Sequence, residues 1–91
     1  MTSQEAKSEQ VIVVTVKVID GDEDDFHFNV DHLIGKSKEQ VMHRFQIKPP
    51  TGVIYHFAYE PGKILDENKT WRQEGVADHS TLLFGTEQQV G

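Results

Sequence analysis

Apolar and polar residues fall into a few clear patterns along the chain. Val11–Ile19 (VIVVTVKVI) is β-branched at almost every position, which predicts a strand. Its start is apolar throughout, so cover on both faces is expected there. Near its end Lys17 alternates with Val16 and Val18. Phe26–Val30 (FHFNV) alternates cleanly, with Phe26, Phe28 and Val30 inward and His27 and Asn29 outward. The acidic segment Asp20–Asp25 (DGDEDD) lies between these runs, and two strands joined by a short polar turn make a hairpin. The next pattern changes period. Ile34, Val41 and Phe45 are spaced by seven and four, which puts them on one side of a helix. Met42 flanks that side, while Lys38, Glu39, His43 and Arg44 mark the wet one. The expected helix is Ser37–Ile47, with Ser37 as N-cap and Gln40 completing a capping box. Lys48-Pro49-Pro50 is the expected stop.

The second half reads as shorter elements. In Gly52–Tyr59 (GVIYHFAY), Tyr55, Phe57 and Tyr59 alternate with His56 and Ala58, predicting a third strand. Glu60-Pro61-Gly62-Lys63 is a turn, with glycine placed to accept positive φ. Ile64-Leu65 is a stub strand and Asp66–Lys69 a further turn. Thr70–Gln73 is a single helical turn that holds Trp71 in the core. Ser80–Phe84 (STLLF) is the last strand. Met1–Gln10 has no apolar periodicity and reads as a disordered leader, and residues 86–91 read as a flexible tail. The folded part is therefore expected over residues 11–85. One amphipathic helix among strands must bury its stripe on a sheet, so the class is α+β.

Composition narrows the range of functions. Ninety-one residues with 36% hydrophobic side chains make one small domain with one core. The net charge of −6 argues against a nucleic-acid backbone or an anionic membrane as partner. With no cysteine there is no disulfide, thiolate nucleophile or Cys-ligated zinc, which fits a cytoplasmic protein. No apolar run approaches membrane-spanning length, and the polar first ten residues are not a signal peptide.

Candidate chemistry is sparse. Asp20, Asp22, Asp24 and Asp31 fall at positions one, three, five and twelve of a calcium-loop pattern. Position six is Asp25 rather than glycine, and Phe26–Val30 would have to abandon a strand, so a solvated acidic turn is expected. Asp78-His79-Ser80 contains catalytic residue types, but neighbours on a strand point to opposite faces and form no relay. The five histidines show no metal-ligand spacing. No catalytic site, metal or cofactor is expected, so the chain is not read as an enzyme.

The order hairpin, helix, Pro-Pro, strand, Gly-Lys turn, stub strand, turn, final strand and free tail resembles ubiquitin. Local matches follow the same order. Pro49-Pro50 resembles the Pro-Pro after ubiquitin's helix, and Gly62-Lys63 followed by Leu65 its Gly-Lys-x-Leu turn. Lys69-Thr70-Trp71 is similar to its Arg-Thr-Leu, and Ser80-Thr81-Leu82 to its final-strand Ser-Thr-Leu. The acidic hairpin turn, Leu33-Ile34-Gly35 and Ile64-Leu65-Asp66 look most like divergent bacterial ubiquitin-like proteins. The resemblance implies a monomeric β-grasp domain: a mixed four- to five-stranded sheet packed on one main helix. It also implies a protein modifier. An E1-like activating enzyme would adenylate the Gly91 carboxylate, and an E2-like conjugating enzyme would pass it to amines of target proteins. Glycine suits this chemistry because it can thread a narrow channel. Where ubiquitin ends Gly-Gly this chain has Val90-Gly91, and Val90 is bulkier and stiffer there. Two alternatives share the fold: a non-covalent protein-binding module, and a sulfur carrier with a Gly91 thiocarboxylate. The partner surface implied by the resemblance is His56, Ala58, Tyr59 and Lys63. Lys63 also matches a chain-linkage lysine, although a solvated turn lysine needs no such role.

Overall fold

The computed structural model describes residues 10–91, and most of the expected leader lies outside the described residues. The elements in order are β1 (Val11–Val18), β2 (Glu23–Asn29), α1 (Ile34–Phe45), β3 (Tyr55–Ala58), α2 (Trp71–Glu74), β4 (Ser80–Thr86) and α3 (Glu87–Val90). The sheet order is β2-β1-β4-β3. β1 pairs antiparallel with β2, in a register that places Val14 opposite Phe26. It pairs parallel with β4, Val16 opposite Leu82, and β3 closes the far edge antiparallel to β4. The sheet is mixed. Ile64 bridges Ala58, so the expected stub strand is a single isolated bridge.

One face of the sheet carries the core. Ile12, Val14, Val16, Phe26, Phe28, Phe57, Leu82 and Phe84 point to it and are all buried, and Ile34 and Val41 of α1 fill it from above. Trp71 sits at its centre, completely buried. Its ring stacks on Phe28 at 4.5 Å between centroids, and Phe57 meets it edge-on at 5.3 Å. An indole N–H removed from water needs a partner. Trp71 Nε1 donates to Ser37 Oγ at 2.9 Å. Thr70 caps the turn that holds Trp71, with the Gln73 N–H donating to Thr70 Oγ1 and the Thr70 N–H to Gln73 Oε1.

The helix differs from its expected form at both ends. Its N-cap is Leu33, not Ser37, and Ser37 is buried within the first turns. The serine that fits a cap is instead the acceptor for the indole. The start of α1 is satisfied from the side: the Ile34 and Gly35 N–H groups donate to the Lys69 and Glu67 carbonyls. A Cβ on Gly35 would lie 3.2 Å from the Glu67 oxygen, a close approach that favours glycine. The helix stops at Phe45, before the prolines. Gln46 takes the left-handed conformation at φ 56°, and its N–H donates to the His43 carbonyl. Phe45 is only half-buried and packs against Phe26 at the rim of the core.

Three further expectations are corrected. The start of β1 is not covered on both faces, since Val11 is 48% exposed. β2 begins at Glu23 rather than Phe26, because the hairpin register runs on to Lys17 opposite Glu23. Of the four aspartates of the calcium pattern, Asp24 is on this strand, Asp20 and Asp22 lie in the turn before it, and Asp31 lies beyond its far end. Asp78 and His79 do meet, at 3.3 Å, because His79 adopts φ 67° and breaks the strand alternation. Ser80 stays out of that pair, its hydroxyl donating to the Ala77 carbonyl.

Two tests follow from this packing. Ser37→Ala leaves the Trp71 N–H buried without an acceptor and should destabilise the domain by about 1–3 kcal/mol in urea unfolding. A change within a few tenths would remove this hydrogen bond from the account. At the surface, Arg72 Nε donates to Asp31 at 2.9 Å, and the guanidinium holds the Asp31 carboxyl below the usual carboxylate value. A depressed folded-state pKa adds stability above the ordinary value of 3.8 that is lost as the pH falls through the lowered one. Asp31→Asn should therefore flatten the fall of melting temperature below pH 3.8, and an unchanged slope would argue that the pair is idle.

Candidate functional site

The carboxyl end is where sequence and structure differ most. Residues 86–91 are not a free tail. The polypeptide leaves β4 at Thr86, makes one helical turn and folds back over the outer face of the sheet, against β3 and β4. Val90 is fully buried, though it is no part of the main core. Its carbonyl accepts from the Gly62 N–H at 2.7 Å, which fastens the turn to the loop after β3. The Gly91 N–H donates to the Glu87 carbonyl at 2.6 Å. A side chain at position 91 would collide with that carbonyl oxygen, so the closed turn needs glycine there.

The register explains what the turn covers. His56 lies opposite Gly85, and Ala58 opposite Leu83. Phe57 and Phe84 pair on the inner face, so His56, Ala58, Leu83 and Gly85 occupy the outer one. Ala58 and Gly85 are nevertheless buried, and Gln89 of the turn lies over Gly85. A Cβ on Gly85 would sit 2.7 Å from Gln89 Oε1 and 2.8 Å from Ile19 Cγ1. A side chain at position 85 would therefore require Gln89 and Ile19 to shift. Gln89 Oε1 also accepts from the Thr86 N–H at 2.8 Å, half of a capping box.

The surface residues inferred from the resemblance do not form one exposed patch. Ala58 is completely buried. His56 is directed to the edge of β3, its Nδ1 3.4 Å from Glu67 Oε2. The same oxygen accepts from Lys38 Nζ at 2.9 Å, and that ammonium also donates to the Tyr55 carbonyl. This cluster braces β3 against α1. Tyr59 and Lys63 do lie together, exposed, at the turn that Val90 is tied to. Partial burial, with the Glu74 carboxylate nearby, raises the Tyr59 hydroxyl pKa. Among the described residues no cluster of histidine and carboxylate side chains could hold a metal ion.

Solved structures share the fold. The UBL domain of Plasmodium falciparum Dsk2 superposes with a TM-score of 0.70 at 26% identity, over 85% of this chain and 99% of that one. A structure described as molecular mimicry of SUMO promoting DNA repair gives 0.70 at 13% identity, over 82% and 90%. A de novo protein designed on ubiquitin gives 0.65 at 16%, over 84% and 88%. The chain folds as a ubiquitin-like β-grasp. No family model matches it, and no curated protein does.

On this ubiquitin-like frame, sequence reasoning missed Gly85, Gln89 and Ile19, the residues that seat the carboxyl-terminal turn. Thr86-x-x-Gln89 has the capping-box spacing of Thr70-x-x-Gln73, and that was the available signal. The turn is held by little. One buried valine contributes about 2 kcal/mol and one hydrogen bond to the body about 1 kcal/mol, comparable to ordering a couple of residues. Backbone order parameters at Gln89 and Val90 should exceed about 0.6, approaching those of Leu82. Values below that limit would restore a free tail.

Proposed function

We propose that the chain is a non-covalent ubiquitin-like docking module, without catalysis of its own, that works by holding a protein partner. The closed carboxyl end carries this reading. A transferable carboxylate has to reach a nucleophile inside an enzyme, whereas Val90 is buried and Gly91 is tucked beside Glu87. The 26% identity to the Dsk2 UBL domain, over 99% of that domain, supports a role of the same domain-like kind. Tyr59 and Lys63 at the β3 turn, with Ile19 and the half-buried Leu83 across the sheet, mix aromatic, aliphatic and cationic groups as a protein contact does.

A second reading rests on Gly91 itself. Conjugation through an E1-like and an E2-like enzyme to target amines, or loading as a thiocarboxylate for sulfur transfer, uses a terminal glycine. In either case the turn would first unwind and expose Val90.

The test is affinity capture from cell extract with ATP, using protein tagged at its amino end. Partners should be retained without a covalent link and released by denaturant. Folded Tyr59→Ala or Lys63→Ala should retain them at least about tenfold less well. Mass spectrometry that finds a Gly91 isopeptide on lysine would overturn the docking reading in favour of the modifier, and a Gly91 thiocarboxylate would favour the carrier.

A further inference from the structure

Charge is unevenly spread along this acidic chain. From Lys36 to Lys48 there are four cations, Lys36, Lys38, Arg44 and Lys48, and one carboxylate, Glu39, although the whole chain carries −6. At the end of α1 this positive stretch meets the acidic hairpin turn. Gln46 reverses the chain there: its N–H donates to the His43 carbonyl, and the Ile47 N–H to the Met42 carbonyl at 2.9 Å. The reversal brings Ile47 back toward Met42, and both are half-buried in an open groove of about 760 Å³ that His43, Gln46 and Lys48 also line. No carboxylate lines it. On the other side of Gln46 a second groove, of about 300 Å³, is lined by Asp22, Glu23, Arg44 and Phe45. Arg44 Nε lies 2.7 Å from Asp24 Oδ2, an ion pair that ties the hairpin to the helix end. The two grooves meet at Gln46, and the charge changes sign across it.

We infer that this pair of grooves at the end of α1 binds an extended peptide segment of a partner protein, with an acidic end over Lys48, an aliphatic residue on Met42 and Ile47, and a basic end over Asp22 and Glu23. Charge complementarity selects that occupant. An all-acidic segment would meet the hairpin carboxylates, and an all-basic one would meet Lys48. Gln46 is an independent observation. It holds φ 56° at a helix end where glycine or asparagine is usual. Glycine would remove that conformational cost, whereas glutamine sets an exposed carboxamide between the two grooves. That group both donates and accepts, which suits the N–H and C=O of an extended backbone. A positive φ kept at an exposed, groove-lining side chain points to a site rather than to packing. No residue of β3 or β4 lines either groove, so the surface is separate from the one that carries Tyr59 and Lys63.

The experiment titrates a capped peptide, Asp-Glu-Ser-Leu-Leu-Ser-Lys-Lys, into the isotopically labelled full chain. The amide signals of Met42, Gln46, Ile47 and Lys48 should move together with those of Asp22 and Glu23. Lys48→Glu should weaken binding at least about threefold, the scale of one reversed charge contact at a surface. It should tighten a control peptide whose two acidic residues are replaced by lysine. Gln46→Gly should weaken binding by a similar factor and yet melt at or above the wild-type temperature, because glycine accepts the positive φ freely. A glutamine that only closes the helix would give that melting behaviour with binding unchanged, and would remove its carboxamide from the site. Tyr59→Ala should bind the peptide as the wild type does, so the result is independent of the docking reading. Shifts confined to β3 and β4, binding indifferent to both Lys48→Glu and Gln46→Gly, or no shift at millimolar peptide would overturn the peptide site and leave the docking reading standing. The same signals moving with protein concentration alone would overturn it in favour of a second copy of this chain.

Discussion

The hydrogen bond from Trp71 to Ser37 is the constraint on which the rest of the fold depends. The largest side chain of the core comes from a four-residue helix that could not persist alone. Stacked on Phe28, met edge-on by Phe57 and bonded to α1, it makes β2, β3 and the main helix meet at one ring. Placing an indole at the centre imposes one requirement, an acceptor in a dry interior, and a serine one turn into the helix meets it. That explains why a residue suited to cap a helix is found inside one. With Ser37 so used, the helix start is left to the loop carbonyls of Glu67 and Lys69, and Gly35 is the residue that lets the loop come close.

Much of this architecture was legible in the chain. The alternation in FHFNV placed Phe26, Phe28 and Val30 inside, and the β-branched run found the central strand. The spacing of Ile34 and Val41 found the buried stripe of the helix. What escaped depends on contacts distant in sequence. Nothing local shows that Ser37 will face an indole, nor that Leu33 will begin the helix. His79 broke an alternation argument because one positive φ redirects a side chain, and a propensity reading does not see that angle.

The site was less legible than the fold, for a physical reason. A polar segment ending in glycine reads as free because nothing in Glu87–Gly91 has a strong apolar pattern. One buried valine was enough to close it, given a glycine beneath Gln89 and a backbone donor at Gly62. The residues that made the closure possible lie on β4 and in the β3 turn, so tail composition held only half of the information. Ala58 was no easier to read: its alternation places it on the outer face, yet it is completely buried.

The seated Val90 also decides where the polypeptide departs from the domain. A strand that simply ran out would release the chain from the tip of the sheet, along the β4 axis. Here the turn reverses it, and Gly91 emerges beside the Glu60–Lys63 loop, over the outer face. Anything joined beyond that point, whether a purification tag or a further domain, starts from that face and sweeps across it. A short linker would crowd the β3–β4 surface, and a long one would leave it clear. The same domain carried at the amino end of a fusion would therefore not be geometrically equivalent to one carried at the carboxyl end.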